Sequence, residues 1–466
     1  MILQKKNKKS LIYFIIEFIL ILSITTSVYI SYSFISGQKK KCHLFEKIQK
    51  SGILNAAIVK YNPQKGYPGP PADYFINIAE IFASRLSLKI KFIYCNSFKK
   101  AEELVLQKKA DILIVTNPVD LYKKTMLRYS KPYINVSWHL IVNRDNIEIN
   151  SPEDIKNDKI TLGFKNPAIP PLKKIQPQNS FKIDIVENIS VMELFKNIQE
   201  GKITATAADN LTARTMRYFY PKASMTYEIK EKTNIGFGVH PEANELRFRI
   251  NMFIDNIQDE EFIKILSEYY FHKLDVFDYL ELRKFHRRIK DSLPEYIKMI
   301  KQYSKETGLD WRIVAAQIYQ ESHYNRNAKS NARAKGLMQL MHSTAKSLGV
   351  SNVYSPEENI KAGILYLKKL YDIFDKAEKK DRIKIALAAY NIGQGHIYDA
   401  RKISRSLNLN PDKWHNMVLI LPLLKKKEFH SETRYGYARG DEPVTYVRKI
   451  IAFYKILKVL YPEKDE

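Results

Sequence analysis

The spacing of apolar residues divides the chain into regions of different character. From residue 45 to residue 271, short apolar runs alternate with stretches whose apolar residues recur at helical spacing. This alternation predicts an α/β unit with a largely parallel sheet. Strands are predicted over residues 53–59, 89–95, 110–115, 160–164, 183–186 and 203–207. Because these strands fall into two sets along the chain, we expect two lobes with a cleft between them.

From residue 294 to residue 462 the apolar spacing is helical throughout, which predicts a separate all-α domain. Residues 272–293 are rich in Arg, Lys and aromatic side chains and contain neither Gly nor Pro. This composition predicts a helical connector between the α/β domain (45–271) and the all-α domain (294–462).

The amino terminus combines a basic segment, residues 1–10, with an apolar run over residues 11–36 that contains a single charge, Glu17. The run is about as long as a bilayer-spanning helix of roughly 20 residues. We interpret it as a transmembrane signal anchor whose basic flank stays in the cytoplasm, which exports the rest of the chain to the periplasm. A cleaved secretory signal is the alternative, and it also exports the chain. An uncleaved anchor favours the inner membrane over the outer one.

The net charge and the number of cysteines limit which binding partners and metal sites can be predicted. Lys and Arg number 76 against 50 Asp and Glu, a formal net charge of +26. Such a balance favours an anionic polymer or a membrane surface. The basic residues are scattered and no nucleic-acid motif accompanies them, so no nucleic-acid partner is predicted. The two cysteines, Cys42 and Cys95, cannot form a disulfide framework or a structural zinc site, and no metal is predicted.

One carboxylate stands out in the all-α region. Asp310 is a suitable N-cap for a helix in which Val314, Gln317, Ile318 and Glu321 share one face. A carboxyl group at the end of an apolar stripe should have a raised pKa, as a general acid at neutral pH requires. On periodicity alone, a surface glutamate at a helix end is the alternative.

Three separated motifs bear on that choice: 321–325 (ESHYN), 336–341 (GLMQLM) and 389–395 (AYNIGQG). In this order and spacing they resemble the catalytic domain of soluble lytic transglycosylases, a lysozyme-like fold. The resemblance implies that Glu321 is the single catalytic carboxylate. It also implies a set of substrate-binding residues around it, which comprises Ser322, Ser330, Gln339, Met341, Tyr390 and, in the closing segment 439–447, Tyr446. This chain departs from the family at Arg333, where glycine is frequent, and at His342, where proline is usual.

The α/β domain resembles periplasmic solute-binding proteins of the type that binds amino acids, through 52–54, 109–112, 129–133 and 208–209. In that family an arginine clamps the ligand's carboxylate, whereas this chain aligns Lys123 there, which keeps the cation but loses the bidentate fork. Asp209 resembles the ammonium-binding carboxylate, and a helix N-cap is an equally good interpretation. Together, Lys123 and Asp209 are candidate contacts for a regulatory muropeptide or small peptide.

The two domains in this order resemble the membrane-bound lytic murein transglycosylase F family. The resemblance implies non-hydrolytic cleavage of the β-1,4 bond between N-acetylmuramic acid and N-acetylglucosamine in peptidoglycan, which leaves 1,6-anhydromuramyl ends and needs no cofactor. Two alternatives stay open at this point. One is a hydrolytic muramidase, which normally uses a second carboxylate. The other is a non-catalytic sensor of wall fragments.

Overall fold

The computed structural model describes residues 44–59, 72–116, 125–164, 166–176, 181–272 and 279–462. Within these ranges an amino-terminal α/β domain is followed by a helical domain, as predicted. No helix of the described residues is both long and apolar enough to cross a membrane. The predicted basic segment 1–10 and anchor 11–36 lie outside the described residues, as do Cys42 and Lys123.

The α/β domain contains two five-stranded sheets, one in each lobe. The first has the order β2-β1-β3-β10-β4 and the second the order β7-β6-β8-β5-β9. The strands are β1 (Ile53–Val59), β2 (Lys89–Cys95), β3 (Ile112–Ile114), β4 (Arg128–Tyr129), β5 (Ile134–Asn143), β6 (Lys159–Gly163), β7 (Lys182–Val186), β8 (Ala205–Asp209), β9 (Ala223–Ile235) and β10 (Gly238–Val239). The predicted strands are confirmed to within two residues at every end.

The prediction of a largely parallel sheet was wrong. β1 pairs in parallel with β2 and β3, and β6 with β7 and β8. However, β10 is antiparallel to both of its neighbours, and the long strand β5 is antiparallel to β8 and β9. Each sheet is therefore mixed, and strands β5 and β9 were not predicted from the sequence.

The helices of the α/β domain are α1 (44–51), α2 (Ala72–Arg85), α3 (Phe98–Leu106), α4 (Ile169–Ile175), α5 (Val191–Gln199), α6 (Asn210–Met216), α7 (Asn244–Asp255) and α8 (Ile257–Ser267), and a π-helix, Glu268–His272, follows α8. Of these, α2 to α6 pack on the two sheets. A short 3-10 helix, Pro152–Asp154, lies between β5 and β6.

Two chain crossings join the lobes, from β4 to β5 and from β9 to β10. They run side by side, since the Ser130 N–H donates to the carbonyl of Phe237 at 2.9 Å and the Tyr133 N–H to that of Ile235 at 3.0 Å. Gly236 lies at this point, where a Cβ atom would be 2.8 Å from the Ser130 carbonyl oxygen. The two strands can approach this closely because glycine has no side chain.

The second domain is helical. Two isolated β-bridges are the only β structure among its described residues. Its helices are α9 (Tyr279–Asp291), α10 (Leu293–Thr307), α11 (Trp311–Ser322), α12 (His342–Ser347), α13 (Pro356–Ile373), α14 (Lys379–Ile392), α15 (Gln394–Ser406), α16 (Trp414–Ile420), α17 (Lys427–His430) and α18 (Asp441–Leu460). A 3-10 helix, Leu421–Lys425, follows α16. Helix α18 packs against both α11 and α14.

The predicted connector is helical as α9, although its residues 273–278 lie outside the described residues. Phe285 of α9 packs into the helical domain, with its ring centroid 4.6 Å from that of Tyr319 and 4.2 Å from that of Phe453. Lys449 of α18 forms an ion pair with Glu281 of α9 at 2.8 Å. The connector therefore packs as part of the helical domain, and the division at residue 294 stays a prediction.

The two domains share a buried contact. The indole N–H of Trp414 in α16 donates to the Tyr269 hydroxyl at 2.9 Å, and both side chains are buried. The second lobe also contacts the helical domain, since the His286 imidazole lies 3.2 Å from the carbonyl oxygen of Tyr218. A single hydrophobic core continues from the first lobe into the helical domain, whereas the second lobe has clusters of its own.

Candidate active site

Helix α11 carries Glu321 and is fixed at both ends. The Asp310 carboxylate accepts the N–H of Arg312 at 2.9 Å, which confirms the predicted N-cap. His323 has a φ of +53°, in the left-handed region, and ends the helix. Val314, Gln317 and Ile318 are fully buried on the predicted face. The helix is thus anchored by its apolar face, and this anchoring determines where its last turn places Glu321.

Glu321 is half-buried and contacts one hydrogen-bond donor among the described residues. The Tyr446 hydroxyl donates to Oε1 at 2.5 Å, and the Gln317 amide donates to that hydroxyl at 3.2 Å. Burial raises the pKa of Glu321 from 4.5 to about 7, while the bond from Tyr446 opposes the rise. A carboxyl group with this pKa exists in both protonation states at neutral pH, so it can give up a proton and take one back.

The loop that contains the 336–341 motif is anchored by a residue that the sequence analysis missed, Asn359. Its Oδ1 accepts the Met338 N–H at 2.8 Å, and its Nδ2 donates to the carbonyls of Lys335 at 3.1 Å and Val353 at 2.8 Å. Gly336 has a φ of +82°, and a Cβ atom there would lie 2.3 Å from Asn359 Nδ2. The motif's glycine is therefore required for this packing. A buried asparagine among the apolar positions of α13 was the available signal.

Gln339 has a φ of +50°, and its amide nitrogen donates to the carbonyls of Gly336 at 2.9 Å and Ala328 at 3.2 Å. These bonds use the nitrogen and leave the amide oxygen as the group that can accept a bond from a sugar N–H or O–H. Met341, two residues along, exposes 46% of its surface. The prediction that both bind sugar stays a prediction.

Tyr390 lies at the end of α14, which closes at Gly393 as expected. Its hydroxyl donates to the Met338 carbonyl at 2.8 Å, and its ring centroid is 5.1 Å from that of Tyr366. Burial raises the pKa of Tyr390, and the negative charge of Glu321 raises it further. Tyr390 therefore links the 336–341 loop to the surroundings of Glu321.

The two candidate serines are engaged in local structure. The Ser322 hydroxyl is buried and donates to the Ile318 carbonyl at 3.1 Å. The Ser330 hydroxyl accepts the Ala334 N–H at 3.0 Å. Their predicted role in substrate binding stays a prediction.

In the α/β domain, Asp209 caps helix α6. Its Oδ1 accepts the N–H groups of Leu211 at 3.1 Å and Thr212 at 2.9 Å, and its Oδ2 accepts the Thr212 hydroxyl at 2.5 Å. Burial raises its pKa, and these bonds oppose the rise. The N-cap interpretation is confirmed, whereas a ligand contact through Asp209 or Lys123 stays a prediction. Within the described ranges, no cluster of three or more His, Cys, Asp or Glu residues could hold a metal.

Two family models match the chain. The Transglycosylase SLT domain matches residues 298–412, and the model of bacterial extracellular solute-binding proteins, family 3, matches residues 59–273. Among solved structures, an ancestral cationic amino acid solute-binding protein aligns with 48% of this chain and 98% of its own, at 21% identity and a TM-score of 0.41.

Curated relatives cover most of the chain. A protein of Desulfosudis oleivorans named membrane-bound lytic murein transglycosylase F is 35% identical over 333 residues, 71% of this chain and 73% of its own. A protein of the same name from Vibrio parahaemolyticus is 31% identical over 437 residues, 88% of this chain and 82% of its own. With its solute-binding and transglycosylase domains in this order, the chain belongs to the membrane-bound lytic murein transglycosylase F family.

Proposed function

We propose that this protein is a peptidoglycan lytic transglycosylase that acts in cell-wall remodelling, with Glu321 as its acid and then its base. The observation that carries the proposal is the environment of Glu321. It is a half-buried carboxyl group with a pKa of about 7 and one hydrogen-bond donor, located where the transglycosylase domain matches the chain. The relatives' name, lytic murein transglycosylase, indicates the reaction class.

In the first step, protonated Glu321 gives its proton to the oxygen that links N-acetylmuramic acid to N-acetylglucosamine. The bond from C1 of the muramic acid to that oxygen breaks, and the N-acetylglucosamine part leaves with a free C4 hydroxyl. The carbonyl oxygen of the muramic acid's own acetamido group supports the positive charge that develops at C1. Glu321 is now a carboxylate, and the Tyr446 hydroxyl stabilises it.

In the second step, the Glu321 carboxylate removes the proton of the C6 hydroxyl on the same muramic acid. The C6 oxygen then forms a bond to C1, which gives the 1,6-anhydro ring and returns Glu321 to its protonated state. No water is consumed, and one carboxyl group serves both steps. The pKa of Glu321 responds to burial and to Tyr446, and no second carboxyl group of the described chain contributes to it. The relatives' name, lytic murein transglycosylase, favours the lyase over a muramidase, which normally needs two carboxylates.

Product analysis tests the reaction. Purified protein is incubated with glycan strands in oxygen-18-labelled water, and the products are examined by mass spectrometry. We expect unlabelled 1,6-anhydromuramyl ends. Labelled reducing ends would identify a muramidase, and intact strands would indicate a binding protein without catalytic activity.

We also propose that residues 11–36 anchor the protein in the inner membrane, with the bulk of the chain in the periplasm. The apolar run follows a basic segment, and the relatives are named membrane-bound. We expect the protein to sediment with inner-membrane vesicles and to stay there in high salt. Amino-terminal sequencing that begins near Ser33 or Ser36 would show a cleaved signal instead, and sedimentation with outer-membrane vesicles would contradict the assignment.

For the α/β domain we propose a small wall-derived ligand, such as a muropeptide, that changes the activity of the helical domain. Both lobes contact the helical domain, the first through Tyr269 and Trp414 and the second through Tyr218 and His286. A change in the angle between the lobes therefore has to alter one of these contacts, which gives the ligand a route to the helical domain. Calorimetric titration with purified muropeptides, together with cleavage assays, tests this. Binding without a change in rate would remove the regulation, and absence of binding would remove the ligand.

A further inference from the structure

A second recess lies in the helical domain, beside the 336–341 loop. It is a pocket of about 510 Å³ between that loop, α12 and the segment 349–353. Arg333, Lys335, His342 and Lys346 all line it. Two of them, Arg333 and His342, are the positions at which this chain differs from the catalytic-domain pattern. The differences therefore converge on one location.

The charged side chains that line this pocket are all positive. Of the described residues that line it, three are cationic and none is acidic. The two carboxylates that follow the pocket in sequence are engaged elsewhere. Glu357 accepts the Tyr303 hydroxyl at 2.9 Å, and Glu358 Oε2 accepts the N–H groups of Ser351 at 2.7 Å and Asn352 at 3.1 Å. Arg333 and Lys346 are exposed, and neither forms an ion pair within the described chain. Cations grouped around a recess in this way create a positive potential that attracts an anion.

The floor of the pocket is apolar. Leu340 and Ala345 line it and are buried, and Val350 packs on the same small hydrophobic cluster. Tyr390 also packs on this cluster. Gln339 and Met341, the candidate sugar contacts, are the sequence neighbours of Leu340. The pocket thus shares a wall with the site around Glu321.

We propose that this pocket binds the peptide stem of the muramic acid next to the cleaved bond, with a stem carboxylate at Arg333 and Lys346 and alanine methyl groups on the apolar floor. The inference rests on the proposed function, because the stem is attached to the glycan that Glu321 cleaves. A short peptide with small aliphatic side chains and free carboxylates matches both the apolar floor and the exposed cations, which we call the rim. A polyanion without apolar groups would match the rim alone.

The test compares two substrates made from one stock of glycan strands, one with its stems intact and one with the stems removed by an amidase. The variant is Arg333→Gln combined with Lys346→Gln in the full chain. Lys369→Gln combined with Lys376→Gln is the matched control, since it removes two exposed cations from α13 and the segment after it. The charge-retaining pair Arg333→Lys and Lys346→Arg completes the set.

We expect the pocket variant to lose about three- to tenfold in kcat/KM on stem-bearing strands, since partly exposed charge pairs contribute modestly. Its kcat/KM on stem-free strands should equal that of the wild type. Both the control and the charge-retaining pair should behave as wild type on both substrates. We also expect the wild type to have a higher kcat/KM on stem-bearing than on stem-free strands, and this difference should decrease as salt is added.

An equal loss of kcat/KM on both substrates, or no loss on either, would overturn the pocket assignment. The proposed function would still stand in that case, provided that the wild type cleaves the strands. If the wild type releases no anhydromuramyl ends from either substrate, the proposed function itself fails. In that case calorimetry with a disaccharide tripeptide, for the wild type and the pocket variant, still tests the pocket. Equal affinities for that probe would contradict it.

Discussion

Two carboxyl groups with raised pKa values, one in each domain, differ in what surrounds their oxygens. Asp209 in the α/β domain is 6% exposed, and three donors bond to its two oxygens. Glu321 in the helical domain is half-buried and receives one hydrogen bond, from Tyr446. Burial raises the pKa of both. Burial alone therefore does not distinguish a structural carboxylate from a chemical one.

The distinction lies in unused hydrogen-bonding capacity. In Asp209, one oxygen accepts two backbone N–H groups and the other accepts a hydroxyl. Such a carboxylate stabilises a helix end and has little hydrogen-bonding capacity left for a substrate. Glu321 has an oxygen, Oε2, that no donor among the described residues occupies. A partly accessible carboxyl group with a raised pKa and a free oxygen is suited to exchange a proton with a bound sugar.

The largest effect is expected at Glu321. Glu321→Gln keeps the volume and removes the titrating group, so release of anhydromuropeptides should fall by about 100- to 10,000-fold. The melting profile at pH 5 should stay close to that of the wild type. Glu306→Gln, which neutralises an exposed glutamate on α10, is the matched control and should keep full activity. Near-normal turnover by Glu321→Gln would refute its role.

Asp209 should show the opposite behaviour. Asp209→Ala removes the cap of α6 and leaves buried N–H groups unpaired, which should cost about 1–3 kcal/mol of stability. Cleavage per folded molecule should not change without added ligand. Asp209→Asn keeps an acceptor oxygen and should lose less stability. Calorimetric melting measures the stability, and a glycan cleavage assay measures the activity. A loss of activity without a loss of stability would contradict the structural role of Asp209.

The raised pKa of Glu321 predicts a pH-dependent stability difference. The pKa of Glu321 is about 7 in the folded protein and 4.5 when the side chain is not buried, as in the unfolded chain. The folded state therefore disfavours the charged form. The wild type should therefore lose stability as pH rises from about 4.5 through 7, whereas Glu321→Gln has no such cost. The variant's advantage at pH 8 over pH 5 should be on the order of 1–3 kcal/mol. Melting curves at both pH values measure it, and a constant difference would contradict the raised pKa.

A smaller effect is expected at Tyr446, whose hydroxyl lowers the pKa of Glu321. Tyr446→Phe should move the alkaline limb of the pH–rate profile to higher pH, because more base is then needed to ionise Glu321. Tyr390→Phe is the matched control, since the Tyr390 hydroxyl donates to the Met338 carbonyl. That variant should leave the limb in place. A profile that does not shift for Tyr446→Phe would show that the 2.5 Å contact does not control the acid.

Much of the fold could be predicted from local patterns. The strand Lys89–Cys95 and the N-cap at Asp310 were correct because β-branched runs and capping chemistry depend on nearby residues. The antiparallel β5 and β9 were missed because strand direction depends on pairing between distant segments. The continuous core shared by the two domains depends on such distant contacts as well.

The site was predictable where a motif carries the chemistry. The spacing placed Glu321 at the end of a buried helical face, but the contact with Tyr446 joins residues 125 positions apart. Asn359 was missed for a similar reason, since its bonds connect α13 to the 336–341 loop. The cationic pocket at Arg333 and Lys346 became visible only when the loop and α12 were seen together.

The most direct test of the account is the pKa of the Glu321 carboxyl group itself. Infrared difference spectra of the full chain against Glu321→Gln, recorded across the pH range from 4 to 9, isolate the carboxyl stretch of this one residue. We predict that its protonated band disappears with a midpoint near pH 7. A midpoint near 4.5, the ordinary value for a solvated glutamate, would contradict the claim that burial prepares Glu321 to act as an acid.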